Sequence, residues 1–269
     1  MNTANVVLIT GASSGIGLEL ARLYYKHGYR LSIAARSFEK LQQLKQEWHA
    51  SDMQVLILQA DVSIEADCKR IVEATIAHFG TLNILINNAG ITMRALFGKV
   101  DLEVMHRIMD VNFWGAVHCT HYAMPELLKN KGSVVGISSV AGYKGLPTRS
   151  AYSASKFALE GFLETLRIEN LKTGLHVLIA RPGFTATNIR NTMVDGKGNA
   201  QGVSHKDEAH SLTPEKVAIG IYKAIKNRKA YMLMSRTAFL TFWLNKFFPA
   251  WVDAQVYKHV KDEKDSPLT

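Results

Sequence analysis

Tyr152 and Lys156 stand four residues apart in the stretch RSAYSASKFALEGFLETLRIE, residues 149 to 169. On a helix, positions i and i+4 share one face, so the phenol and the ammonium would project the same way, one turn apart. A tyrosine titrates near pH 10, roughly, and is a poor proton donor or acceptor at neutral pH, but a neighbouring cation favours the phenolate and lowers that value. Such a pair can work as a general acid or base. The spacing alone also has a plainer reading, in which Tyr152 packs inward and Lys156 snorkels to water. What decides between the two is the set of elements that would hold the pair.

Short β-rich apolar runs alternate with stretches of helical period: VVLI (6 to 9) then 16 to 27, LSIAA (31 to 35) then 38 to 49, VLILQ (55 to 59) then 64 to 79. ILIN (84 to 87), a long helical stretch to about 129, SVVGIS (133 to 138), the helix from Tyr152 and HVLIA (176 to 180) continue the pattern. Strands that are apolar on both faces and separated by helices imply a parallel sheet covered on both sides. The expected fold is a single α/β domain of the Rossmann type, a doubly wound, mainly parallel sheet of about seven strands. Thr213 and Pro214 read as N-cap and first residue of a helix over 214 to 226, and AYMLM (230 to 234) as a last strand. The polar stretch 188 to 211 is expected to be a substrate loop or lid. Residues 1–235 then form the dinucleotide-binding and catalytic unit, with 236–269 as an aromatic-rich helical extension.

Length and composition fit that reading. The chain has 269 residues and 47% apolar content, enough for a sizeable core. A formal charge of +9 would suit an anionic ligand, a membrane surface or nucleic acid, but the bases are scattered and not clustered with aromatics, so no nucleic-acid role is expected. Lys223, Lys226, Arg228 and Lys229 gather where a helix should end, and cations there complement the helix dipole. Cys68 and Cys119 have no CxxC spacing, which points to a reducing compartment rather than a disulfide framework or zinc site. MNTANVVLIT lacks a signal-peptide pattern, and no apolar run reaches a membrane span of about 18 residues. A cytoplasmic protein is expected.

Directly after the first strand comes TGASSGIG, residues 10 to 17. Gly11 permits a tight turn, Gly15 lets the backbone approach a pyrophosphate, and Gly17 allows close helix packing, while the helix N-terminus offers unsatisfied N–H groups to anionic oxygens. After the second strand the sequence is AARS. With no acid at Ala34 or Ala35 to bond a ribose 2′-hydroxyl, Arg36 is placed to pair with the 2′-phosphate of NADP, which favours NADP(H) over NAD(H).

TGASSGIG, NNAG (87 to 90), Asn112, Ser139, YSASK (152 to 156) and PG (182 to 183) occur in this order, and in them the sequence resembles the classical short-chain dehydrogenase/reductase family over roughly residues 5 to 235. The resemblance implies Tyr152 as catalytic acid/base and Lys156 as the cation that lowers its pKa and holds the nicotinamide ribose. It implies Ser139, in preference to its neighbour Ser138, as the group that bonds the substrate carbonyl, and Asn112 as the anchor of a water in the proton relay. For the cofactor it implies Gly11, Ser13, Ser14, Gly15, Ile16 and Gly17 at the phosphates. Asp61 and Val62 would meet adenine, and Asn88, Ala89 and Gly90 the adenosine ribose. Pro182, Gly183, Thr185 and Thr187 would border the nicotinamide. Ser13 and Ser14 stand where some NADP-dependent members carry a basic residue, and Thr185 where an apolar residue is common.

These residues make the expected activity NADP-dependent interconversion of a ketone or aldehyde and an alcohol. Reduction of 3-oxoacyl thioesters is an alternative within enzymes, and a non-catalytic NADP-binding redox sensor is one of another class. Pocket walls are expected from positions such as Met93, Arg94, Tyr143 and Leu146 and from the 188 to 211 loop. HKDEAH (205 to 210) and HCTH (118 to 121) mimic metal-ligand spacing without matching a zincin, and no metal is expected. In 238 to 257 the large side chains cover more than one core-facing stripe. A subunit interface, a substrate entrance or a peripheral membrane contact would cover the remainder, so the expected substrate is apolar, lipid- or steroid-like, and the expected assembly a homodimer or homotetramer.

Overall fold

Val6–Thr10 (β1) is buried at all five positions, as a central parallel strand requires. Its side chains alternate between two cores: Val6 and Leu8 pack on one face of the sheet, Val7 and Ile9 on the other. The computed structural model that shows this describes residues 5–186, 189, 192–201, 211–263 and 266–268, the side chains of 236–238 excepted.

The remaining strands are Arg30–Ala35 (β2), Val55–Gln59 (β3), Ile84–Asn87 (β4), Ser133–Ile137 (β5), His176–Arg181 (β6) and Tyr231–Leu233 (β7). They form one sheet in the order β3-β2-β1-β4-β5-β6-β7, and every pairing is parallel. Helices Gly15–Lys26 (α1), Phe38–Glu47 (α2) and Pro214–Lys226 (α7) bury Leu20, Tyr24, Leu41, Val217 and Ile221 in one core. On the opposite face, Glu65–Phe79 (α3), Gly115–Lys129 (α5) and Ser150–Glu169 (α6) bury Ile71, Cys119, Ala123, Leu159 and Leu163. Helices on both faces make this a doubly wound sheet of the Rossmann kind.

The expected elements appear with shifted ends, and one differs in kind. The stretch leading to residue 129 is not one helix: Leu102–Met109 (α4) passes through a π-helical turn, Asp110–Trp114, into α5. A π-turn inserts one residue without changing composition, so periodicity does not reveal it. α6 starts at Ser150, which places Tyr152 inside its first turn. Thr213 caps α7, its Oγ1 accepting from Lys216 N–H at 3.4 Å, with Pro214 in the first turn.

Arg236–Phe247 (α8) and Pro249–Lys261 (α9) follow the sheet. Phe242 packs edge-on against Tyr143 at 5.2 Å, and buried Lys144 holds Asn245 Oδ1 at 2.7 Å and also Asp253. Phe239, Leu240, Trp243, Phe247, Phe248 and Trp251 remain exposed. Among the described residues no helix is long and apolar enough to cross a membrane.

Candidate active site

The sheet order reverses direction between β1 and β4, and the loops leaving these strands open a crevice at their carboxyl ends, where ligands bind in sheets of this class. Thr10 locks the two loops together. Its Oγ1 accepts from the N–H groups of Asn88 (3.1 Å) and Ala89 (3.2 Å), while the Asn88 amide donates to Thr10 O (2.9 Å) and Gly11 O (3.1 Å). Gly11 has φ +66°, and a Cβ there would come within 2.8 Å of Ala89 Cα. At Gly17 a Cβ would collide with Gly11 O and the Asn88 amide.

α1 begins at Gly15 with no acidic residue in its first turn, and Ser14 makes no side-chain cap. Its first N–H groups are thus left to face an anion, which fits a pyrophosphate. Because the backbone oxygen of Gly11 is one of the two atoms that close off Gly17 and cannot swing aside, Gly17→Ala should cost about 1–3 kcal/mol of stability, as overpacking does. It should also weaken dinucleotide binding, which thermal unfolding and calorimetric titration would read together.

A cavity of about 400 Å³ runs from this loop to Tyr152. Of the expected site residues, Gly11, Ser13, Ser14, Gly15, Ile16, Arg36, Asp61, Val62, Asn88, Ala89, Gly90, Ser139, Tyr152, Lys156, Pro182, Gly183 and Thr185 all line it. Gly17 and Asn112 are not in its wall, and Thr187 lies outside the described residues, as does HKDEAH.

At the glycine-loop end Arg36 is exposed, its backbone oxygen fixed by Gln59 Nε2 at 3.1 Å. Asp61 accepts from Ser63 N (3.0 Å) and Ser63 Oγ (2.7 Å), which holds its carboxylate in place. At the other end, Ser139 Oγ accepts from Ala141 N–H at 3.2 Å, which leaves its own proton for an oxygen in the cavity. Lys156 Nζ is 5.8 Å from the Tyr152 ring centre and donates to Ile137 O at 2.8 Å. Burial pulls the lysine down to about 8, with the Glu160 carboxylate acting the other way, so at neutral pH it is still mostly an ammonium.

Asn112 lies in the π-turn and is buried. Its Oδ1 accepts from Ile91 N–H (2.8 Å), and its Nδ2 donates to Ile91 O (2.9 Å) and Ser155 Oγ (2.9 Å). Both N–H donors are thereby committed to bracing the β4 loop against α6, and a water would meet this side chain through Oδ1. One turn beyond Lys156, Glu160 forms a buried ion pair with Arg181, Nη2 to Oε2 at 2.6 Å.

Three charged lining residues were not singled out from sequence: Lys40, Arg149 and Glu263. Lys40 follows Arg36 by four positions and Arg149 precedes Tyr152 by three, spacings that a helical reading could have used. Glu263 comes from beyond α9 and has no local signal. Of the expected pocket walls, Leu146 lines the cavity, as do Ile189, Thr192 and Met193 of the 188 to 211 stretch. Met93 is fully buried in a side core, Tyr143 packs on Phe242, and Arg94 meets Glu263. His118 of HCTH stacks on Trp114 at 5.7 Å.

The short chain dehydrogenase family profile matches residues 5–198. An 11-beta-hydroxysteroid dehydrogenase-like 2 of Arabidopsis thaliana is 36% identical over 255 residues, 93% of this chain and 80% of that one. A short-chain dehydrogenase of Streptomyces avermitilis superimposes with TM-score 0.80 at 26% identity, covering 96% of this chain and 98% of the other. The fold is shared too by a short-chain dehydrogenase/reductase of Burkholderia phymatum solved with NAD, TM-score 0.80 at 23% identity over 94% and 95% of the two chains. The chain therefore belongs to the short-chain dehydrogenase family. It is an oxidoreductase acting between CH–OH and C=O groups.

Proposed function

We propose that this protein is an NADP(H)-dependent carbonyl reductase or alcohol dehydrogenase of an apolar, lipid- or steroid-like substrate. The observation that carries the reading is that one cavity joins Arg36 to Ser139, Tyr152 and Lys156. The glycine loop and the open start of α1 suit the dinucleotide, which when bound supplies or takes up the hydride. Ser139 and Tyr152 hydrogen-bond the carbonyl oxygen as negative charge develops on it. Tyr152 then gives up its proton, and Lys156 favours the resulting phenolate. Asn112 keeps Ile91 and Ser155 in register around them. On this reading residues 1–235 carry cofactor and chemistry, and 236–269 border the substrate side.

The names of relatives such as the Arabidopsis protein point to steroids, and the exposed aromatic face of α8 and α9 supports an apolar substrate. That face equally supports self-association or peripheral seating at a membrane as its cover.

Titration of the purified protein with NADPH and with NADH tests the cofactor assignment. A charge-assisted Arg36 contact of about 1.5 to 3 kcal/mol predicts NADPH tighter by roughly ten- to a hundredfold. Arg36→Ala should remove most of the difference, and Arg36→Ala with Lys40→Ala the rest. Equal binding of the two cofactors by the unaltered protein would take Arg36 out of the phosphate site.

A further inference from the structure

Among the described residues, the end of the cavity that holds Tyr152 contains one acid, Glu263, which two arginines meet. Glu263 Oε2 lies 3.0 Å from Arg149 Nη2 and 3.5 Å from Arg94 Nη2, and Arg149 Nη2 is 3.4 Å from Oε1. Arg94 is buried and Arg149 and Glu263 partly so, with side chains 3, 17 and 7% exposed. Arg149 is the N-cap residue of α6, three positions before Tyr152, so both side chains are carried on one face and both line the cavity. Arg94 stands behind Glu263, outside the cavity wall, and is fixed from its backbone: its N–H donates to Val194 O at 2.9 Å and its carbonyl accepts from Gln201 Nε2 at 3.1 Å. Leu146, Phe184 and Met193 supply apolar wall to the same space.

We propose that Arg94 and Arg149 form a carboxylate-binding subsite at the substrate end of the cavity, held in this structure by the chain's own Glu263. The substrate is then an apolar ketone or alcohol that bears a carboxylate remote from its reacting carbon. This deepens the carbonyl-reductase reading and rests on it for the reaction, but not for the binding.

The chemistry favours exchange. A buried guanidinium tolerates no loss of its partner, but replacing one carboxylate by another keeps each charge paired throughout. Two forked guanidiniums are matched to a planar carboxylate. Glu263 belongs to the turn after α9, whereas α8 and α9 are held separately through Lys144 to Asn245 and Asp253. The turn can release its glutamate while the helices stay docked.

The test is calorimetric titration of the NADPH-saturated protein with decanoate and with 1-decanol, which differ in the charged head. Glu263→Gln should tighten decanoate by roughly tenfold by removing the internal competitor, and leave decanol unmoved. Arg149→Gln and Arg94→Gln should each erase the preference for the acid, circular dichroism confirming that they fold. If Glu263→Gln shifts both ligands alike, or neither, the three residues only fasten the tail and the subsite is wrong. Turnover of neutral ketones without any decanoate preference would overturn the subsite and keep the reductase. Decanoate preference without turnover of any ketone or keto acid would do the reverse.

Discussion

Tyr152→Phe keeps its affinity for NADPH and loses at least about 10²-fold in kcat, the lower end of what general acid–base catalysis contributes. The substitution removes one oxygen and leaves the ring, so the cavity keeps its wall and Lys156 keeps its aromatic neighbour 5.8 Å away. Ser139 cannot take over. Its hydroxyl can bond the carbonyl oxygen but, unlike the phenol, has no ammonium one helical turn away to stabilise the charge it would acquire on giving up a proton. Lys156 is a poor substitute donor, because it is buried and turned to Ile137 O. The split between binding and turnover separates this role from a structural one: a packing defect would weaken NADPH and lower the melting temperature together. Turnover close to that of the unaltered protein, with binding intact, would remove Tyr152 from the proton transfer.

Why the strands were legible and parts of the site were not has a common physical origin. VVLI and ILIN announce themselves because a central parallel strand must be apolar on both faces, and a glycine loop announces itself because a single turn of backbone makes the contact. Such information is local. The π-turn at Asp110–Trp114 is local too, yet its effect is to rotate Asn112 onto Ile91 and Ser155, and rotation by one inserted residue leaves no mark on composition. Glu263 reaches Arg149 across 114 positions, and nothing in either neighbourhood specifies the partner. Met93 and Tyr143 show the opposite error. Both were expected to wall the pocket, but one side chain turned into a buried cluster and the other toward α8. In the C-terminal segment the excess of large side chains was readable: Phe242 finds Tyr143 and Arg181, while Trp243 and Trp251 stay in solvent.

Arg181→Met should destabilise the protein by about 3–5 kcal/mol, as removing one member of a buried ion pair does. The guanidinium makes three bonds to Glu160, at 2.6, 3.0 and 3.1 Å, with both side chains under a tenth exposed. Glu160 is also bonded by Ser138 Oγ at 2.6 Å, and there is no room for a Cβ at Gly142 beside them. Three rings, Tyr231, Phe242 and Tyr143, surround the cation with centres at 4.7, 5.3 and 5.4 Å. Methionine fills most of the space but strands the carboxylate beside a single hydroxyl. Replacing both members, Glu160→Met with Arg181→Met, should recover much of the loss, since the pair's attraction is largely offset by its own desolvation. Urea unfolding at constant m-value measures both variants. The consequences extend to the site, because Ser138 precedes Ser139, Glu160 follows Lys156 by one turn, and Arg181 precedes Pro182 and Gly183. The double variant, folded but without the charges, should therefore show whether the pair serves only stability or also sets catalysis. In it, Lys156 loses the carboxylate that opposes its desolvation, so its pKa should fall below about 8. Turnover would then decline at a lower pH than in the unaltered protein. An unchanged alkaline limb would confine Glu160 and Arg181 to holding β5, α6, β6 and α8 together.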